Sequence, residues 1–151
     1  MLTIFVQHIN MTSDILLIED SPTDAAIMMA AFEEIGYDGS IQIAKSGVEA
    51  LQLLDELENH DITQWPRLIL LDLNLPKRSG LDILSDIKTN PSWSWIPTVV
   101  ISSSSSPSDI SNSYKLHANA YISKPRQFEH YENLAKQICS FWFKTAQRAL
   151  S

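Results

Sequence analysis

Cysteine occurs once, at Cys139, so no intrachain disulfide can form and nothing points to an oxidising compartment. Basic residues are also few: 11 Lys and Arg stand against 18 Asp and Glu, a net charge of −7, and they are scattered along the chain. Nucleic acid is therefore excluded as a partner, because its phosphates demand a basic patch. Long apolar runs are missing too. None approaches the roughly 20 residues that a membrane-spanning helix needs, so no membrane partner is expected. Residues 1–12 hold the short run Leu2 to Val6 without a basic start or a cleavage site. They read as an amino-terminal extension rather than a signal peptide, with Met11 a second candidate start. The expected location is the cytoplasm.

What is present suits one domain. A chain of 151 residues with 44% hydrophobic content can bury a single core, and residues 13–151 are expected to form it. Its centre is the stretch from Leu68 to Gly80. The run Leu68-Ile69-Leu70-Leu71 reads as a strand buried on both faces, as central parallel strands are. Asp72 ends that run, and Pro76 with Gly80 marks a loop entering a helix. A carboxylate there is costly to desolvate unless something pairs with it. It also lies where open α/β sheets bind their ligands. Taken alone, Asp72 reads best as a structural residue that accepts loop hydrogen bonds, so the other strand ends must decide.

Taken in order, Asp14 to Ile18 is a buried strand ending in Glu19-Asp20. Ser21-Pro22-Thr23-Asp24 starts a helix to about Ile35, with Ala25, Met28, Met29 and Phe32 on one face. Ile41 to Ala44 is a short strand, and Ser46-Gly47-Val48-Glu49 a capping box opening a helix that buries Leu51, Leu54 and Leu57. Beyond Asp72, Ser79 caps a third helix with Leu81, Leu84 and Ile87 facing in. Thr98 to Ile101 is the fourth strand, running into Ser102 to Ser106. Ser106-Pro107-Ser108-Asp109 starts a short polar helix that should be loosely held. Ala120 to Ser123 is the fifth strand, followed by Lys124-Pro125. The last helix, about Gln127 to Arg148, should bury Tyr131, Leu134, Ile138 and Phe141. Strict alternation of five strands and five helices implies a single-domain, flavodoxin-like doubly wound parallel sheet with right-handed crossovers.

Parallel strands point the same way, so Glu19-Asp20, Asp72, Ser102 and Lys124 gather at one edge of such a sheet. Three carboxylates repel unless a cation screens them, and hard oxygen ligands suit Mg²⁺. One of Glu19 and Asp20 would bind it directly and the other through water, with the Asn74 backbone carbonyl as a further oxygen. A phosphoryl group on Asp72 would give the rest a purpose. Its oxygens need the Mg²⁺, the Lys124 ammonium and the Ser102 hydroxyl, and a carboxylate is a recognised nucleophile for an acyl phosphate. His60, His117 and His130 lack ligand spacing and read as surface residues. Lys77 and Arg78 would tune the approach of an anionic donor.

From Asp14 to about residue 145 the chain resembles the response-regulator receiver domain of two-component signalling, whose strand order is 2-1-3-4-5. The resemblance implies Asp72 as phosphoacceptor, Asp20 as direct Mg²⁺ ligand, Glu19 as water-linked acid, Ser102 and Lys124 as phosphoryl contacts, and Tyr121 as aromatic switch. It also implies a cis peptide between Lys124 and Pro125. A narrower resemblance, to small single-domain regulators paired with bacterial and cyanobacterial phytochromes, rests on the Ser-rich loop, on Ser113 to Pro125 and on Phe141-Trp142. It implies a phytochrome-type histidine kinase as donor. Output would leave through the fourth helix, fifth strand and fifth helix, by docking or as a homodimer through the last helix region. Phe143 lies well off the Ile138 face of an α-helix, so either an interface or a fold back onto its own helix would be needed to bury it. The competing enzyme reading is a phosphohydrolase of the haloacid dehalogenase type. That family wants a second Asp two residues past the nucleophile, where this chain has Asn74. An FMN carrier is a third class, but Glu19-Asp20 would repel the phosphate.

Overall fold

The computed structural model describes residues 14–149. The expected extension, residues 1–12, lies outside the described residues. Five parallel strands, β1 (Ile15–Ile18), β2 (Ile41–Ala44), β3 (Leu68–Leu71), β4 (Thr98–Ser102) and β5 (Ala120–Ser123), form one sheet in the order β2-β1-β3-β4-β5. Helices α1 (Pro22–Glu34), α2 (Gly47–Glu56), α3 (Gly80–Thr89), α4 (Pro107–Lys115) and α5 (Phe128–Ile138) connect and follow them, which is the flavodoxin-like arrangement expected. No helix among the described residues is long and apolar enough to cross a membrane.

The three middle strands are buried along their whole length, so their side chains serve two cores in alternation. Leu16, Ile18, Ile69, Leu71 and Val100 face one core with Leu54 of α2 and Ile83, Leu84 and Ile87 of α3. Ile15, Leu17, Leu68, Leu70 and Val99 face the other with Phe32 of α1 and Tyr131 and Leu134 of α5. Each fully buried aliphatic side chain contributes roughly 1.5–3 kcal/mol, so this double layer holds the sheet edge rigid.

Four helices start on a serine. The side chains of Ser21, Ser46, Ser79 and Ser106 accept from the amides of Asp24, Glu49, Asp82 and Asp109 at 3.2, 3.1, 3.2 and 3.4 Å. Such a cap is worth about 1 kcal/mol. The return bond of the α2 capping box goes one residue further back than the motif implies, from the Lys45 amide to Glu49 at 3.0 Å. On α4 only Ser113 is buried.

Several expectations are corrected. On α3 the inward residue is Ile83, while Leu81 is half-buried; on α2, Ala50 and Leu54 are fully enclosed and Leu51 is not. The Lys124–Pro125 peptide is trans, like every other described peptide. The trans form is favoured by about 0.5–1 kcal/mol before proline.

The largest departure is at the last helix. It is α-helical only to Ile138 and continues as a π-helix over Cys139–Thr145. Bonding from i to i+5 brings residue 143 beneath residue 138 rather than far around the axis. Phe143 therefore stacks on Tyr37 with centroids 5.8 Å apart, and the Arg67 guanidinium lies 4.9 Å from its ring centroid. Phe141, expected inside, is instead 52% exposed.

Candidate functional site

The carboxyl ends of β1, β3, β4 and β5 bring the expected residues together. Glu19 follows β1 and is 4% exposed, Asp72 follows β3 and is 5% exposed, and Ser102 ends β4 fully buried. Asp20, the next residue, is exposed. Carboxylate oxygens of Glu19, Asp20 and Asp72 lie within 4.8 Å of one another. Lys124, just past β5, reaches over them: its Nζ donates to Glu19 Oε1 at 2.7 Å, Asp24 Oδ2 at 2.8 Å and Asp72 Oδ2 at 3.2 Å. These partners are 105, 100 and 52 residues away along the chain, so only the sheet topology can assemble them.

The electrostatics follow from burial. Desolvation, then the hydrogen-bonding contact with Asp72, pushes Glu19 up to about 7, and Lys124 offsets only part of this. Burial pulls the Lys124 ammonium down, but its bonds to Asp24 and Glu19 outweigh it, so the group is held above the ordinary lysine range. The other Asp72 oxygen accepts the Asn74 amide at 3.1 Å, which fixes the carboxylate plane. Behind Lys124 a cavity of about 10 Å³ is lined by Glu19, Asp24, Asp72 and Tyr131, room for one water at most. Gly80 closes the loop from the other side. Its amide donates to the Leu73 carbonyl at 2.9 Å, and a Cβ there would strike the Asp72 carbonyl oxygen and Leu73 Cα.

Two residues of this arrangement escaped the sequence reading. Asp24 reads as a helix-dipole residue, yet from the first turn of α1 it shares the Lys124 ammonium. Its signal was its place one turn past the acidic pair. Ser104 links the remaining parts. Its amide donates to Ser102 Oγ at 3.1 Å, its hydroxyl to Asp109 Oδ2 at 2.6 Å, and its carbonyl accepts the Tyr121 hydroxyl at 2.7 Å. Tyr121 is thus turned toward the Ser-rich loop. Arg78 pairs with Asp86, and Lys77 holds a left-handed backbone, φ 65°, at the loop tip.

The donor set is wholly carboxylate, with two side chains buried and one exposed. That chemistry fits a small hard divalent cation and not zinc, which prefers nitrogen and sulfur.

Comparison with known proteins agrees with this geometry. A sequence model of the response regulator receiver domain matches residues 15–136. The response regulator Rcp1 of a Synechocystis strain is 37% identical over 131 residues, covering 87% of this chain and 89% of that protein. A probable methanogenesis regulatory protein, FilR2, of Methanothrix harundinacea is 38% identical over 128 residues, 85% of this chain and 82% of the relative. Among solved structures, the Mn²⁺-bound form of Rcp1 superposes with a TM-score of 0.78 at 37% identity, over 89% of this chain and 97% of the other. The phosphorylated cyanobacterial phytochrome response regulator RcpA gives 0.79 at 36% identity, over 89% and 96%.

Proposed function

The chain belongs to the response regulator receiver family, and we propose that it accepts a phosphoryl group on Asp72 from a histidine kinase of the phytochrome type. Residues 13–151 would act as the receiver domain. An Asp72 carboxylate oxygen attacks phosphorus, the P–N bond of the donor phosphohistidine breaks, and the imidazole leaves and takes up a proton, giving an acyl phosphate. The 3.2 Å approach of Lys124 Nζ to Asp72 carries this reading, because it puts an ammonium within reach of an oxygen on the new phosphoryl group. The Ser102 hydroxyl, held at the end of β4, would contact another.

Mg²⁺, when bound, would neutralise charge on the carboxylates and on the incoming phosphoryl oxygens. Asp20 and Asp72 would hold it directly, Glu19 through water, and Asn74 through its backbone carbonyl. Two relatives support this: one was solved with Mn²⁺ and another phosphorylated. A haloacid dehalogenase-type reaction is disfavoured by Asn74, which offers no acid and whose amide is committed to Asp72. The signal would leave through the α4-β5-α5 surface, which Ser104 ties to the site through Tyr121 and Asp109. It would do so by docking to another protein or as a homodimer.

Acetyl phosphate or a phosphohistidine donor with Mg²⁺ should add one phosphoryl group, seen by intact mass, and Asp72→Asn should not be labelled. Equal labelling of the mutant would overturn the assignment.

A further inference from the structure

A second cluster of charge lies at the opposite, amino-terminal edge of the sheet. Arg67 immediately precedes β3, Pro97 precedes β4, and the tail past the π-helix crosses beside them, so that Arg67, Trp95, Pro97, Trp142 and Arg148 line a cleft of about 140 Å³. Arg148 pins the tail in place: its Nη2 donates to the carbonyls of Ile62 at 2.6 Å and Trp65 at 2.7 Å.

Two guanidinium groups in one cleft need an explanation in an acidic protein. The Nε atoms of both Arg67 and Arg148 are buried without a hydrogen-bond partner, and none of the ion pairs among the described residues includes either arginine. Their charges act on one another: burial first, and then Arg67, lowers Arg148 from its ordinary range. Asp14 opposes this from a distance, but its carboxylate accepts the Tyr37 hydroxyl at 3.2 Å. Among the described residues no carboxylate lines the cleft. Unpaired buried N–H groups cost free energy, and the guanidinium fork matches planar oxyanions two bonds at a time. The remaining walls are two indoles, a proline ring and three tail residues, Ala146, Gln147 and Ala149. The volume is close to that of cavities that accept a single aromatic ring.

We propose that this cleft binds a small carboxylate with a one-ring apolar body, its oxygens on Arg67 and Arg148 and its ring between Trp95 and Trp142. The site is independent of the phosphoryl reading, since it stands at the other end of the strands.

Benzoate is the probe. Titrated into the full chain and followed by calorimetry and tryptophan emission, it should saturate with one equivalent bound at millimolar or lower concentration. Arg67→Gln, with its circular dichroism unchanged, should weaken it at least about tenfold, a loss of about 1.4 kcal/mol. Asp72→Asn should bind it as the wild type does, and benzyl alcohol and inorganic phosphate should each bind much more weakly. Failure of benzoate to saturate, or wild-type affinity in Arg67→Gln, overturns the proposal. Phosphate binding as tightly as benzoate would overturn the apolar half of it. Because Arg148→Gln also frees the tail from Ile62 and Trp65, Trp142→Ala serves as the second variant and should weaken benzoate without affecting phosphate.

Discussion

Tyr121 and Ser104 are joined by a hydrogen bond of 2.7 Å from the phenol hydroxyl to the backbone carbonyl. Ser104 also holds the Ser102 hydroxyl and the Asp109 carboxylate, so a displacement of Ser102 is felt at the first turn of α4. Ser104→Ala keeps the carbonyl and cuts the two links of its hydroxyl, the one it donates to Asp109 and the one it accepts from the Ser106 amide. It should cost about 1 kcal/mol and raise hydrogen exchange in the amides of Asp109 to Ser113, with β4 unaffected.

Lys124→Met leaves Glu19 and Asp72 buried without their counter-ion. In the absence of divalent cations at neutral pH, urea unfolding should show a loss of about 3 kcal/mol. Adding Glu19→Gln should restore part of it, because one of the repelling charges is then gone.

Glu19 has a folded value of about 7 against 4.5 unfolded. Between those values the folded chain holds the extra proton, so the stability of the metal-free protein should fall as pH rises from about 4.5 to about 7 and level off above. Urea midpoints taken across that window would show the slope, and Glu19→Gln should flatten it.

Gly80→Ala places a methyl against the backbone of Asp72 and Leu73, which cannot move aside as a side chain would. Overpacking of this kind costs about 1–3 kcal/mol. Thermal unfolding should show the loss, and phosphoryl uptake should slow because the Asp72 loop shifts with it.

The two tail phenylalanines should differ, and Phe141 should behave oppositely to its expected role. Phe143→Ala removes the ring between Tyr37 and Arg67, and should cost about 1–2 kcal/mol. Phe141→Ala should lie within about 0.5 kcal/mol of wild type, being a surface change. Denaturant midpoints for the pair would decide it.

Much of this molecule was legible beforehand, for physical reasons. A run such as Leu68 to Leu71 can hardly be anything but a strand covered on both faces, and a serine cap announces each of four helices. Once the strands are parallel, Glu19, Asp72, Ser102 and Lys124 have to meet. Side-chain choices within a helix were less legible: Leu81 and Ile83 are equally apolar, and only the approach of α3 to the sheet makes Ile83 the inner one. Asp24 looked fully accounted for by its helix dipole. Ser104 was hidden among five consecutive serines, where nothing in composition separates a coupling residue from its neighbours. The π-helix left no trace in the apolar spacing, because that spacing assumes the very turn that is altered.

That wider winding from Cys139 to Thr145 means that arithmetic, rather than chemistry, decides what the tail end displays. Deleting a single residue between Ile138 and Phe143 would let the coil tighten into its ordinary pitch and still leave that ring below Ile138, now four places on instead of five. Kin of this protein that are one residue shorter between those two positions should therefore bury the same ring on an ordinary α-helix.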